Sequence, residues 1–159
     1  MSRKKLLFSY LSFDILASVI TWILFFMYRK FNINPYFYPD FSTSVLHDKN
    51  LYLGALFIIP LWFILYTISG YYTKLYRKSR IQELGLTFWI TLMGTLLFFF
   101  IFILDDQVRS ENIRQFELVK YFLIYFFLQF FLTYIPRVII TTIINHKISK
   151  GLIGFNTII

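Results

Sequence analysis

Four long runs of apolar residues alternate with shorter polar segments along this chain. An α-helix needs about 20 predominantly apolar residues to cross a hydrocarbon core of about 30 Å, and each run comes close to that length or exceeds it. The pattern therefore predicts an all-α integral membrane protein, a bundle of four transmembrane helices at residues 6–28, 51–70, 84–104 and 118–140.

The charged residues between the runs are sorted by sign. Basic residues precede the first run, separate the second from the third, and follow the fourth. The two alternate connections hold six of the eight acidic residues: Asp40, Asp48, Asp105, Asp106, Glu111 and Glu117. Cytoplasmic loops collect Lys and Arg, while translocated loops do not, so we predict that both termini lie in the cytoplasm.

Composition and charge indicate which kind of molecule the chain binds. At 159 residues, 58% hydrophobic and 23% aromatic, the chain has too much apolar surface for a soluble domain of this size. The net charge of +8 does not indicate nucleic acid, because the basic residues border the apolar runs instead of forming a mixed basic and aromatic stripe. We therefore predict membrane lipids as partners and no nucleic acid. The absence of Cys excludes disulfides, thiolate metal sites and a Cys nucleophile.

The first run could be mistaken for a secretory signal. It is too long for one, contains Asp14, and lacks a cleavage site before Arg29 and Lys30. We interpret it as a retained signal anchor.

Asp14 is the one acidic residue inside a predicted span, and Arg137 lies at a comparable depth on the fourth. An ionisable group in hydrocarbon is costly and therefore indicates a functional role. One hypothesis is an intramembrane ion pair between Asp14 and Arg137. The alternative is that each side chain extends separately to the headgroups.

Other polar clusters give weaker signals. The basic run of Lys74, Arg77, Lys78 and Arg80 could contact an anionic lipid headgroup, or it could serve only as a topology determinant. The Asp105-Asp106 pair could bind Mg²⁺, but a solvated helix end is the favoured interpretation. His47 and His146 fall on opposite sides of the predicted membrane, so they cannot share a metal. We predict no catalytic, cofactor-binding or metal-binding residue in the chain.

A series of short motifs resembles a known family when their order is considered. The members are Asp14, Arg29, Gly70-Tyr71-Tyr72, Glu83, Gly94-Thr95, Arg137 and Asn156-Thr157-Ile158-Ile159. In this order they resemble the N-terminal membrane region of bacterial polyprenyl glycosylphosphotransferases, which initiate exopolysaccharide, capsule or O-antigen synthesis. The resemblance covers essentially the whole chain.

The resemblance implies a division of labour. Residues 1–150 would form the four-helix membrane domain, and residues 151–159 would begin a truncated cytoplasmic Rossmann-like domain. The apolar, β-branched end of the chain fits the start of a strand, and the alternative is a frayed tail on the membrane surface. A later catalytic domain would transfer a sugar phosphate from a nucleotide sugar to undecaprenyl phosphate, using Mg²⁺ and an acidic pair that has no counterpart here. The chain itself would anchor the enzyme in the bacterial cytoplasmic membrane, with undecaprenyl phosphate and a homo-oligomer as the implied partners.

Two other functions remain open from the sequence. The chain could be a stand-alone four-helix carrier or flippase for polyprenyl-linked sugars, or it could be a structural partner of another membrane enzyme. A proton-coupled transport site is weakly supported, because the predicted second and third spans contain no ionisable residue.

Overall fold

The computed structural model describes residues 3–33, 45–73, 79–109 and 115–150 of the chain. This part holds four long α-helices and no β-strand. They are α1 (Arg3–Ile33), α2 (Lys49–Ile68), α3 (Arg80–Arg109) and α4 (Gln115–Ser149). Residues 151–159, which we expected to begin a cytoplasmic domain, lie outside the described residues.

By length and composition, all four helices can cross a membrane. The qualifying segments are 29, 20, 22 and 30 residues long, and they are Lys4–Asn32, Lys49–Ile68, Arg80–Ile101 and Glu117–His146. The prediction of four membrane-length helices is therefore confirmed. Large apolar side chains point outward from each helix, for example Phe8, Leu56, Phe100 and Phe131, each at least half exposed. Such a surface suits lipid and not water.

The third helix is longer at both ends than the predicted membrane span at residues 84–104. The helix begins at Arg80 because Ser79 and Gln82 form a capping box, in which each side chain bonds the backbone N–H of the other at 3.2 Å. It also continues through Asp105 and Asp106 to Arg109, because the end of an apolar run does not by itself end a helix. The fourth helix likewise extends beyond the predicted span at residues 118–140, and it ends at Ser149, four residues after Asn145, to which the sequence pattern allows the helix to continue.

The helices pack in an antiparallel bundle in which α4 contacts α1 and α3, and α2 contacts α1 and, less extensively, α3. Two indole rings fill the space that glycines leave open. Trp22 of α1 lies against Gly54 of α2, and Trp62 of α2 lies against Gly94 of α3. A Cβ atom at Gly94 would lie 2.5 Å from the Trp62 ring, so the close approach depends on glycine.

A polar contact between Lys30 and Asp48 joins α1 to the start of α2. Lys30 Nζ lies 2.9 Å from Asp48 Oδ2, and Asp48 also caps α2 by accepting a hydrogen bond from the Asn50 backbone N–H. The hydrogen bond from Lys30 holds the pKa of Asp48 below its usual value.

Candidate functional site

Asp14 and Arg137 meet in the interior of the bundle as a bidentate ion pair. Arg137 Nε donates to Asp14 Oδ1 at 2.9 Å, and Nη2 donates to Oδ2 at 2.8 Å. The Arg137 side chain has no exposed surface, and the Asp14 side chain is 5% exposed. Parallel bonds of this kind are the strongest form of the contact and fix the orientation of both groups. The structure thus brings together the two ionisable residues that the sequence singled out.

Three further side chains complete the surroundings of the guanidinium group. Nη1 donates to Thr87 Oγ1 of α3 at 3.2 Å. The guanidinium carbon lies 4.1 Å from the ring centroid of Tyr66 and 3.7 Å from that of Tyr71, so it is held by two aromatic rings. A cation over an aromatic ring gains most when water is excluded, as it is here.

The connection after α2 contributes two consecutive tyrosines to this region. Gly70 has a φ of 65°, a conformation that glycine adopts at no steric cost, and it turns the chain back toward the bundle. Tyr71 is then fully buried, and the Tyr72 hydroxyl donates to Asp14 Oδ2 at 2.8 Å. Burial, together with the negative charge of Asp14, raises the pKa of Tyr72, so the phenol keeps the proton that it donates.

A second buried carboxylate, Glu83 of α3, belongs to the same network. The Tyr71 hydroxyl donates to Glu83 Oε2, and the Thr141 hydroxyl donates to Oε1 at 3.1 Å. Because Thr141 has one hydroxyl proton, it must accept the hydrogen bond at 3.0 Å that joins it to Tyr10. Hydrogen bonds thus run in a fixed direction from α1 through α4 to α3.

We call this set of buried polar and charged side chains the charged network. Its members are Tyr10, Asp14, Tyr66, Tyr71, Tyr72, Glu83, Thr87, Arg137 and Thr141. It draws on all four helices and on the connection between α2 and α3. It lies at the end of the bundle where α1 and α3 begin and where α2 and α4 end, which is called the network end.

Polar side chains continue from the charged network toward the middle of the bundle. The Gln129 amide nitrogen lies 3.3 Å from Thr133 Oγ1 and 3.5 Å from both Ser18 Oγ and the Tyr66 hydroxyl. Ser18 in turn donates to the Asp14 backbone carbonyl at 2.8 Å. The interior is therefore polar well beyond the ion pair.

The buried charged groups of this arrangement are paired with one another and with neighbouring protein side chains. Its two carboxylates, Asp14 and Glu83, are held by protein donors, and no group of three or more His, Cys, Asp or Glu in the described part of the chain could hold a metal ion. These residues do not fit Mg²⁺, which requires several oxygen ligands around an accessible position. The geometry suits the joining of helices.

The predicted basic run is only partly described. Arg80 is exposed at the first position of α3, at the network end of the bundle. Lys74, Arg77 and Lys78 lie outside the described residues, so the choice between lipid contact and topology determinant stays a prediction.

Glu83 and the two tyrosines were not identified as site residues from the sequence. The third span was predicted to start at residue 84, and this placed Glu83 at the end of the connection between the second and third spans. Two signals could have placed it correctly. Ser79 and Gln82 have the spacing of a capping box, and Glu83, Thr87, Thr91 and Thr95 recur every four residues on one face of a helix.

Comparisons with protein families, with curated proteins and with solved structures find no match to this chain.

Proposed function

We propose that this chain is the membrane-anchoring domain of an enzyme that transfers a sugar phosphate from a nucleotide sugar to undecaprenyl phosphate in the bacterial cytoplasmic membrane. The observation that carries the proposal is the charged network, which joins all four helices at one end of the bundle, α2 through the Tyr66 ring that packs on Arg137. The enzymatic chemistry in this proposal belongs to a separate catalytic domain, as the motif order in the sequence implies.

A network confined to one end supports an anchoring role for a physical reason. The hydrophobic effect does not drive association between helices inside a membrane, because lipid tails are as apolar as the side chains of the helices. Buried charges that find partners only in one arrangement can specify that arrangement, as they do in some helical assemblies. Tyr71 and Tyr72 extend this restraint to the connection between α2 and α3. A domain joined at this end would therefore have a fixed point of attachment.

The distribution of basic residues supports a cytoplasmic position for the network end. Of the 16 Lys and Arg residues, nine belong to the sequence segments at this end, six belong to the opposite end, and Arg137 is buried. Lys4, Lys5, Arg80 and Lys150 are exposed there. Since Lys and Arg accumulate on the cytoplasmic side, both termini of the chain would face the cytoplasm.

The test is a transfer assay in two arms. Bacterial membranes containing the product of the complete reading frame that includes this chain are incubated with undecaprenyl phosphate, Mg²⁺ and a panel of radiolabelled nucleotide sugars. We expect a labelled lipid-linked sugar phosphate, with release of the nucleoside monophosphate, for at least one sugar. Membranes containing residues 1–159 alone should give no product. Turnover by residues 1–159, or no transfer by the complete product with any sugar, would contradict the proposal.

A further inference from the structure

Three buried oxygen atoms have no hydrogen-bond partner among the described residues. They are Thr21 Oγ1, Thr95 Oγ1 and Gln129 Oε1, and all three side chains are fully buried. Buried polar atoms in folded proteins are nearly always paired with protein groups or with ordered water, so three such atoms in one small bundle need an explanation.

The three residues that carry these atoms lie at one level of the bundle, which is called the layer. Phe25, Phe98 and Tyr125 are in mutual contact, with ring centroids separated by 4.4–6.0 Å. Thr21 precedes Phe25 by four residues on α1, and Thr95 precedes Phe98 by three on α3. Gln129 follows Tyr125 by four residues on the antiparallel α4. One helical turn covers three to four residues, so all three positions lie one turn from the ring cluster, on its network-end side.

Helix α2 packs against the bundle at this level. The Trp62 ring lies against Gly94, the neighbour of Thr95, and Trp62 Nε1 donates to the Tyr125 hydroxyl at 3.1 Å. The aromatic rings of Phe25, Phe98 and Tyr125 separate the layer from the opposite end of the bundle. Polar side chains, including Gln129 itself, lead from the layer toward the charged network.

The layer also lies near the middle of the membrane-length segments. Thr95 and Gln129 are within a few residues of the centres of Arg80–Ile101 and Glu117–His146, and Thr21 lies slightly beyond the centre of Lys4–Asn32. At that depth lipid supplies no hydrogen-bond partner, and an unpaired polar group is especially costly.

We propose that the layer binds one water molecule that bridges α1, α3 and α4. Water can donate a proton to Gln129 Oε1 and accept hydrogen bonds from the hydroxyls of Thr21 and Thr95, which gives about the three bonds typical of a buried water. A metal cation is not favoured, because none of the three residues carries a negative charge. Asp14, the acidic residue on the same helix as Thr21, is already paired with Arg137. The site is independent of the proposed transferase function and concerns the bundle alone.

The first test is magnetic resonance on the full chain in lipid nanodiscs, with the threonine methyl groups labelled. We expect magnetisation transfer from water to the methyl groups of Thr21 and Thr95. Thr91 is the internal control, because it is buried on the same face of α3 but its hydroxyl already donates to the Thr87 carbonyl at 2.6 Å. In Gln129→Leu, transfer to Thr21 and Thr95 should fall to the level of Thr91, and Thr91→Val should leave it unchanged.

A second measurement uses variants that keep the side-chain shape, because Gln129→Leu also removes other hydrogen bonds. Thr21→Val and Thr95→Val should each lower the folding equilibrium constant about threefold to tenfold, the range expected for one hydrogen bond. Because either loss weakens the same water site, the double variant should fall no further than the more severe single variant. If the two substitutions instead lower the folding equilibrium constant by factors that multiply in the double variant, the proposal is overturned. It is also overturned if, in the unsubstituted chain, magnetisation transfer from water to Thr21 and Thr95 is no greater than to Thr91. The latter result would indicate hydroxyls bonded to carbonyls of their own helices.

Discussion

Removing either member of the buried ion pair should destabilise the bundle strongly, whereas removing both should cost little more than removing one. The informative variants are Asp14→Asn, Arg137→Met and their combination. Asn keeps the shape of Asp14 without its charge, and Met keeps much of the apolar stem of Arg137. Each single change leaves the other charged group buried without its counter-ion.

The expected magnitudes follow from the burial of the pair. Loss of one partner of a buried pair costs about 3–5 kcal/mol, because an uncompensated charge remains in a medium of low dielectric. Arg137→Met should lie at the upper end of this range, since it also removes the contacts with the rings of Tyr66 and Tyr71. The double variant should lose no more than about the larger single loss, so the coupling energy should be about 3 kcal/mol or more. Neutral hydrogen bonds between membrane helices contribute only about 0.6 kcal/mol on average.

The assay is reversible unfolding in mixed lipid and detergent micelles, followed by circular dichroism as the fraction of denaturing detergent rises. Lys30 and Asp48 offer a matched control within the same chain. They form an ion pair at a similar distance, 2.9 Å against 2.8 Å, but their side chains are 17% and 26% exposed. The equivalent pair of substitutions, Lys30→Met with Asp48→Asn, should give a coupling energy of only about 0.2–1 kcal/mol. Additive losses for Asp14 and Arg137, or a coupling no larger than that of the control pair, would refute this account of the network.

Three further predictions concern other parts of the bundle. Gly94→Ala should lower stability by about 1–3 kcal/mol, because the new methyl group would overlap a buried indole ring. Gly85 has open space around it, so Gly85→Ala should raise stability by up to about 1 kcal/mol through helix propensity. Thermal unfolding in detergent measures both variants, and equal effects at Gly94 and Gly85 would contradict the close contact between Gly94 and the indole ring. Glu83→Ala should destabilise the bundle more than Glu83→Gln, since Gln retains an acceptor for the buried hydroxyls. Thermal unfolding in detergent measures both variants, and a larger loss for Glu83→Gln would contradict the prediction. The depressed pKa of Asp48 gives stability that is present above its unfolded-state pKa and is lost as the pH falls through the folded-state pKa. Acid titration of unfolding should therefore show a loss that is absent in Lys30→Met, and identical titrations would exclude the contribution.

The helices and the two residues of the central ion pair could be identified from the sequence for simple physical reasons. Membrane-length apolar runs leave few alternatives to helices, because every backbone polar group must be paired within the hydrocarbon. Asp14 and Arg137 were recognisable because a charge in such a run is expensive. Whether they met each other remained open, since sequence separation does not reveal which helix faces are in contact.

Glu83 shows where reasoning from hydropathy fails. A hydropathy boundary marks where apolar residues begin, but a helix begins where its first backbone N–H groups find partners. For α3 these partners come from Ser79 and Gln82. Tyr71 and Tyr72 could not be assigned either, because their inward direction depends on the turn at Gly70. Helix α3 also continues past the predicted span to Arg109 for a related reason, since acidic residues do not stop a helix.

The orientation of the bundle is the claim on which the proposed anchoring role depends most, and the absence of Cys from the chain makes it directly measurable. Single cysteines replace Ser79 and Ser149 at the network end and Lys49 at the opposite end, and intact cells are treated with a maleimide that does not cross membranes. We predict labelling of Lys49→Cys in intact cells, and labelling of Ser79→Cys and Ser149→Cys only after the membrane is permeabilised. Labelling of either serine position from outside intact cells would contradict the account.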